Sequence, residues 1–252
     1  MKNFFILTLF FFCLNSNAQT LLYEKDSIRV STVAESDEYK EARLKCNVLK
    51  NKKGTQEMLA TFDVKNYTLK ASSNNNLTGM CANSKDGQHI HFIVDNKPYT
   101  ALYENYNKWT EASGSHLMLA FLSRSHHQSL KHKSAYQLKA FHVGKPTKMY
   151  DLTAPYLFFS RPKGTYVDKD AEKIMIDFYL VNCTLKKGGY SVKVELDQTH
   201  TFYTDIWAPL LLEGLAMGEH TIKLTLVNSK DQAVKNEFNG VERKFILMSN
   251  PK

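Results

Sequence analysis

The residues G-Q-H-I-H-F-I-V at positions 87–94 decide how this chain folds. In an extended strand, successive side chains point to opposite faces. His89 and His91 therefore share one face, and the apolar residues that alternate with them share the other. The apolar face predicts a strand that covers a hydrophobic core. The opposite face carries two imidazoles, which are groups that bind metal ions and exchange protons near neutral pH.

The rest of the chain contains short apolar and β-branched runs separated by turn residues. The runs predict strands at residues 28–33, 43–49, 58–64, 90–94, 100–103, 116–122, 137–143, 156–159, 174–180, 191–196, 201–206, 220–227 and 243–248. Apolar residues spaced three and four apart, as on one face of a helix, do not continue over a dozen residues, although residues 36–44 could form one or two helical turns. We therefore expect an all-β protein built from antiparallel, immunoglobulin-like β-sandwiches.

A short connection near Lys148 divides this pattern into two halves. We predict two tandem sandwiches, an amino-terminal domain at residues 19–147 that carries the histidines and a carboxy-terminal domain at residues 148–252. Both lengths fall within the usual range for one domain. The polar stretch at residues 71–86 is predicted to be a loop, because it has too few apolar residues to contribute to a core.

The two halves also have the pattern of an internal repeat. The residues I-H-F-I-V-D at 90–95 align with V-K-V-E-L-D at 192–197, and G-S-H at 114–116 aligns with G-E-H at 218–220. Features that both halves share are expected to be structural, and features found in one half are candidates for function. His89 and His91 belong to the second group.

The first 18 residues have the pattern of a secretory signal peptide. Lys2 precedes an apolar run at residues 4–14, and small residues follow at 16–18. The apolar run is shorter than the roughly 20 residues of a membrane-spanning helix. We expect an exported protein, periplasmic or secreted, with no transmembrane segment.

Charge and cysteine content narrow the class of protein further. The formal net charge of +8 is spread along the chain and no nucleic-acid motif accompanies it, so we expect no nucleic-acid partner. Three cysteines follow the signal peptide, Cys46, Cys81 and Cys183. An odd number leaves at least one thiol free in an oxidising compartment, and the spacing leaves the pairing open.

His89 and His91 are the first candidate metal ligands. A His-x-His pair on a strand places two imidazoles on one face, about 7 Å apart at Cα, so both rings can reach one ion. A third ligand is needed, and the nearby candidates are His116, Met118, His126 and His127. Imidazoles alone suit zinc, copper or nickel, and a thioether would favour copper.

The predicted metal set is His89, His91, His116 and His127, with the cofactor left open between copper and zinc. Two alternatives compete with it. His89 and His91 can be surface residues that bond to Tyr99 or Asp95. His116 can satisfy a backbone group at a sheet corner, because it matches His220 in the second half.

Two basic segments are the second candidate site. They are S-R-S-H-H-Q-S at 123–129 and S-R-P-K-G-T-Y at 160–166. A guanidinium group offers a planar fork to a phosphate or carboxylate, so the two segments would frame an anion site if they meet between the domains. The alternative is that each arginine pairs with a carboxylate of the other domain. The candidate ligand-binding residues are Arg124, Ser125, Tyr99, Tyr103, Arg161 and Lys163.

Catalysis has little support in the sequence, which lacks the nucleophile-elbow, zinc-protease, phosphate-loop and dinucleotide-binding motifs. We expect a non-catalytic exported binding protein whose ligand is a metal ion, a small polar molecule or a peptide. The rival hypotheses are an oxyanion or phosphopeptide binder, a metal-dependent enzyme, and a structural component of the cell envelope with an envelope protein as partner.

Five linked segments resemble an exported two-domain protein family of Bacteroidota. They are G-Q-H-I-H-F-I-V-D-N-K-P-Y (87–99), G-S-H-L-M-L-A-F-L-S-R-S-H-H (114–127), F-F-S-R-P-K-G-T-Y (158–166), and D-I-W-A-P (205–209) with G-E-H-T-I-K-L (218–224). Some members carry the automatic label "phosphopeptide-binding protein", which implies an oxyanion ligand. The positions that match the family's motifs are His89, His91, Tyr99, Tyr103, His116, Arg124, His127, Arg161, Lys163 and Trp207.

This chain departs from the family pattern at three points. It has His126 beside His127, Gln128 where an acidic residue is expected, and no lipid-attachment cysteine. The first two departures make the candidate site more basic, and the third puts membrane anchoring in doubt.

Overall fold

A computed structural model describes residues 19–33, 39–73 and 81–250. The predicted signal peptide and residues 34–38 and 74–80 lie outside the described residues. No disulfide joins Cys46, Cys81 and Cys183 in the described residues. Among the described residues, no helix has the length and apolar character needed to span a membrane.

Nearly all regular structure is β. The strands are Leu21–Lys25 (β1), Ile28–Thr32 (β2), Arg43–Asn51 (β3), Glu57–Lys65 (β4), His89–Val94 (β5), Thr100–Leu102 (β6), Tyr106–Thr110 (β7), Gly114–Ser123 (β8), Tyr136–Val143 (β9), Tyr156–Arg161 (β10), Gly164–Val167 (β11), Lys173–Val181 (β12), Ser191–Leu196 (β13), His200–Thr204 (β14), Leu210–Glu213 (β15), Gly218–Val227 (β16) and Val241–Met248 (β17). Two short 3-10 helices lie at Lys133–Ala135 and Asp168–Ala171. The predicted all-β class is confirmed.

The first sandwich pairs a three-stranded sheet, β3-β4-β7, with a four-stranded sheet, β6-β5-β8-β9. Its core lies between the sheets and includes Leu44, Phe62, Phe92 and Leu122. The second sandwich pairs two five-stranded sheets, β1-β2-β15-β12-β10 and β11-β17-β16-β13-β14. All strand pairs are antiparallel except β11 with β17, which is parallel.

The two central strands of the four-stranded sheet, β5 and β8, are buried on both faces. Strand β8 is buried at all ten positions. One face covers the core of the first sandwich, and the other packs on β10 and β12 of the second sandwich through contacts among Leu119, Phe121, Phe158 and Tyr179. His89 and His91 lie on this second face, so the contact between the sandwiches encloses them.

The internal repeat is present in the structure. In the first half, the Asp95 carboxylate contacts His116 at 2.7 Å, and His116 contacts the Ala112 carbonyl at 2.9 Å. In the second half, the same corner is formed at 2.7 and 2.8 Å by Asp197, His220 and Ala216. His116 therefore satisfies a backbone group at a sheet corner, as its match to His220 suggested.

The predicted strands correspond to thirteen of the observed ones, and four strands were not predicted: β1, β7, β11 and β15. These four are short, at four or five residues each. Runs of this length give little signal in sequence, even where exposed and half-buried positions alternate, as in β7. The ladder between β2 and β15 places β1 and β2 in the second sandwich, although they precede the first along the chain.

Candidate metal and ligand site

Three histidines meet at the contact between the two sandwiches. His89 and His91 point from β5, and His127 points from the turn that follows β8. This turn closes through the bonds from the Arg124 amide to the Gln128 carbonyl and from the His127 amide to the Arg124 carbonyl. His127 has a φ of 69°, in the left-handed region, which histidine adopts more readily than most residues. That conformation turns its ring toward β5.

The three rings present nitrogens to a common point. The Nε2 atom of His89 lies 2.9 Å from Nε2 of His91 and 3.2 Å from Nδ1 of His127. One ligand atom from each ring lies within 4.8 Å of the other two. Around a tetrahedral ion with bonds of about 2.0–2.1 Å, neighbouring nitrogens are roughly 3.3 Å apart. The triad therefore needs little movement to hold one ion.

Hydrogen bonds at Nδ1 of His89 and of His91 leave the Nε2 atom of each ring directed at the triad. Nδ1 of His89 lies 2.8 Å from the Gly87 carbonyl oxygen. Because a carbonyl only accepts, Nδ1 donates and the Nε2 lone pair faces the other rings. Nδ1 of His91 lies 2.9 Å from the Ser160 hydroxyl. A hydroxyl both donates and accepts, so Ser160 supports either tautomer of His91 and leaves its Nε2 free to bind an ion.

A β-bulge aims Ser160 at the site. The pairing of β10 with β12 joins Phe159 to Phe178 and then Arg161 to Asp177, so Ser160 is the extra residue. Bulges of this kind redirect a side chain out of the regular alternation. Here the redirected hydroxyl reaches across from the second sandwich to a histidine of the first.

Burial keeps the imidazoles neutral. Desolvation lowers the pKa of His89 to about 4, and the nearby Arg161 and Lys163 act in the same direction. Desolvation also lowers the pKa of His91 and His127, and the other imidazoles of the triad lower them further. The neutral ring is the form that binds a metal ion.

The other candidate metal ligands lie elsewhere. His116 and Met118 point from β8 into the core of the first sandwich, on the opposite face of the sheet from His89 and His91. His116 is bonded to Asp95 and Ala112, so it does not join the triad. The ring of His126 lies 3.1 Å from the amide oxygen of Gln128.

The surface alternative for His89 and His91 is wrong. Both side chains are fully buried, with 0% exposure. His91 does contact Tyr99, but by stacking, with ring centroids 3.6 Å apart and an interplanar angle of 10°. Asp95 bonds to His116 instead.

The candidate ligand residues divide into two groups. Tyr99, Tyr103, Arg161 and Lys163 lie around the triad. The Tyr99 hydroxyl is 3.2 Å from Nδ1 of His127, the Tyr103 ring packs on His89 at 5.1 Å, and the guanidinium carbon of Arg161 is 5.5 Å from the Tyr99 ring centroid. The ammonium nitrogen of Lys163 lies 3.7 Å from the same centroid.

Arg124 and Ser125 belong to a different environment. The guanidinium of Arg124 lies over the Tyr39 ring at 5.0 Å, and Tyr39 packs on Tyr67 of the first core. The Ser125 amide bonds to the Ser73 hydroxyl. The two basic segments therefore do not frame one pocket in the predicted way.

Sequence reasoning missed two buried residues of the junction, Arg243 and Asp177. Arg243 occupies a core-facing position in the alternation V-E-R-K-F-I-L at 241–247, and Asp177 interrupts the apolar run of β12. A charge at an apolar position of a strand is the signal that identifies both. Asp177 pairs with Lys131 at 2.5 Å, and both side chains are almost fully buried.

A wide cleft lies away from the histidines. It has a volume of about 960 Å³ and is lined by residues of β3, β4 and β7, including Lys50, Lys108 and Trp109. These strands form the outer sheet of the first sandwich. The core of that sandwich separates the cleft from the triad.

Comparisons with known proteins give similarities in fold only. No protein-family model matches the chain, and no curated protein matches it. The fibronectin(III)-like modules of Clostridium thermocellum CbhA match with 14% identity and a TM-score of 0.29, over 38% of this chain and 100% of that one. The central fibronectin-III array of RIM-binding protein matches with 10% identity and a TM-score of 0.26, over 84% of this chain and 71% of that one.

A third similar structure is SGBP-B of a Bacteroides ovatus mixed-linkage glucan utilization locus, in complex with a mixed-linkage heptasaccharide. It matches with 10% identity and a TM-score of 0.22, over 86% of this chain and 72% of that one. At these identities, function has to be argued from the geometry of the site itself.

Proposed function

We propose that the protein is an exported, non-catalytic binding protein that holds one transition-metal ion through His89, His91 and His127. The observation that carries the proposal is the convergence of three buried ring nitrogens, with separations of 2.9 and 3.2 Å at Nε2 of His89. Export is supported by the signal-peptide pattern of residues 1–18.

The internal repeat supports a functional role for the triad. The counterparts of His89 and His91 in the second half are Ser191 and Lys193, and the turn that matches the His127 turn has Asp231 at the left-handed position, with a φ of 58°. The backbone is thus the same in both halves. The second half has this backbone without imidazoles at the matching positions. The fold alone therefore does not account for the three histidines of the first half.

The donor set favours zinc or copper. Three neutral imidazoles suit either ion, and no thiolate or carboxylate of the described residues joins the group. A three-histidine site leaves one coordination position for water or a small ligand. Hydrolysis at such a metal also needs a general base. Two cations, Arg161 and Lys163, lie near the triad, and Asp86, the carboxylate that acts on His89, is exposed. The arrangement therefore favours binding over catalysis.

The test is metal binding by untagged residues 19–252. Metal-free protein is titrated with zinc and with copper, and bound metal is measured by mass spectrometry after gel filtration. We expect one ion per chain. The variant with His89→Ala and His91→Ala is expected to lose it, whereas His142→Ala, which removes an exposed histidine, is expected to keep it.

Circular dichroism shows whether each variant is folded. A wild-type protein that binds no metal, or a folded double variant that binds as much as the wild type, would overturn the proposal.

A further inference from the structure

Three cationic side chains lie near Tyr99. Lys163 lies 3.7 Å from the Tyr99 ring centroid and donates to the Tyr99 carbonyl at 2.7 Å. Since His91 stacks on the same ring at 3.6 Å, there is room for Lys163 only on the opposite face. Arg161 lies at the same ring, and Arg243 donates to the carbonyls of residues 96 and 97 at 3.1 Å.

No carboxylate neutralises this group within the part of the chain that the structure describes. None lies within 4.0 Å of Arg161, Lys163 or Arg243, although thirteen other ion pairs of this length occur. Their hydrogen bonds go to neutral oxygens, such as the Tyr166 hydroxyl, 3.0 Å from Arg161. The alternative that Arg161 pairs with a carboxylate of the other sandwich is wrong for the described residues.

Two of the three cations are more than nine-tenths buried. Arg161 is 8% exposed and Arg243 is 7% exposed, and the Nε atom of each has no hydrogen-bond partner among the described residues. Buried charges are normally paired, because an unpaired charge loses its hydration without compensation. An unsatisfied donor on each of two neighbouring guanidinium groups indicates a missing acceptor.

The lowered pKa of Lys163 also indicates a missing negative charge. Burial lowers its pKa to about 8, and Arg161 and Arg243 lower it further in that direction. Burial also lowers the pKa of Arg243 to about 10. Arg161 differs: burial opposes its charge, but the nearby Tyr166 and Tyr99 outweigh this and raise its pKa. The pKa of Lys163 shows that it lies close to two cations, and a bound negative charge would relieve this repulsion.

We infer that Arg161, Lys163 and Arg243 form a binding site for a small oxyanion, a phosphate or carboxylate group, that enters beside the half-exposed Lys163. Guanidinium groups bind such anions through two parallel N–H donors, and the ammonium adds a third contact. The oxyanion would contact these three side chains and not the histidine nitrogens, so the inference does not rest on metal binding and is tested on metal-free protein. Because Arg161 and Lys163 also lower the pKa of His89 and His127, a bound anion would in addition favour a cation at the triad.

The experiment is a calorimetric titration of metal-free residues 19–252 with inorganic phosphate at low ionic strength. We expect one phosphate per chain, with at least about tenfold weaker binding in Arg161→Gln and in Arg243→Gln. The matched control is Arg43→Gln, which removes an exposed arginine. Lys163→Gln is compared with Lys169→Gln, an exposed lysine of the following 3-10 helix.

Acetate and sulfate titrations distinguish a carboxylate preference from a phosphate preference. The thermal stability of each variant without anion provides a second readout. This readout shows whether each variant is folded, because Arg243→Gln also removes hydrogen bonds to three backbone carbonyls. Absence of anion binding by the wild type, or equal weakening in the Arg43→Gln control, would overturn the inference.

Discussion

The same sheet face has opposite surroundings in the two halves of the molecule. In the first half, the face of β5 that carries His89 and His91 is enclosed by the second sandwich. In the second half, the matching face of β13 carries Ser191, Lys193 and Glu195, which are half-buried. Turn geometry and the aspartate–histidine corner are the same in both. The repeat therefore specifies the backbone, and the contact between the sandwiches specifies where the imidazoles are buried.

The ion pair of Lys131 with Asp177, at the contact between the sandwiches, gives the sharpest test of this difference in burial. Lys131 is buried and paired with Asp177, whereas its counterpart Lys235 is exposed. Replacing Lys131 by methionine leaves the buried Asp177 charge without its cationic partner, with only the Ser129 amide among the described contacts still donating to it, so we expect a loss of about 3–5 kcal/mol in the free energy of unfolding. Lys235→Met is expected to stay within about 0.5 kcal/mol of wild type.

Urea unfolding of the two variants measures both values. Equal losses in the two variants would show that the faces do not differ in burial as described.

The His127 turn allows a substitution that keeps the backbone and removes the ligand. Asparagine adopts the left-handed conformation readily, so His127→Asn is expected to fold. It is expected to weaken zinc binding by about 100-fold, or roughly 2.7 kcal/mol. Asp231→Asn, at the matching turn of the second half, is expected to leave zinc affinity unchanged. Competition titration against a chelator of known affinity measures both, and an unchanged affinity in His127→Asn would remove it from the ligand set.

The buried histidines also predict how stability depends on pH. The pKa of His89 falls from its ordinary value of 6.5 to about 4 in the folded protein. Between these values the unfolded chain binds the proton and the folded chain does not. Stability is therefore complete above pH 6.5 and decreases as the pH falls toward 4, by about 2 kcal/mol at pH 5 from His89 alone.

His91 and His127 shift in the same direction and add to this effect. Urea unfolding of metal-free protein from pH 8 to pH 5 measures the slope, and a folded His89→Gln variant should have a smaller slope. An identical slope in the variant would assign the pH dependence to other groups.

The aspartate–histidine corners that both halves share are expected to contribute equally to the free energy of unfolding. His116→Ala and His220→Ala each remove one bond to an aspartate and one to a backbone carbonyl, and each is expected to cost about 1–2 kcal/mol. Neither is expected to change zinc affinity. A loss of zinc binding in His116→Ala alone would return His116 to the ligand set that the sequence predicted.

Alternation along the strands predicted the all-β fold and the shared face of His89 and His91, because both follow from local geometry. The sequence could not show that this face is buried, since that depends on packing between segments some 70 residues apart, such as His91 with Ser160. His127 was one of four open choices for the third ligand until the turn fixed its direction. Arg243 was missed because no motif surrounds it, although its place among apolar residues was visible.

The most direct test of the proposed triad is the position of a bound ion. Crystals grown with one equivalent of zinc, measured on both sides of the zinc absorption edge, give an anomalous difference map. We predict a single strong peak about 2.0–2.1 Å from Nε2 of His89, Nε2 of His91 and Nδ1 of His127. A map whose only peaks lie on exposed side chains such as His142, with no density between the three rings, would contradict the account.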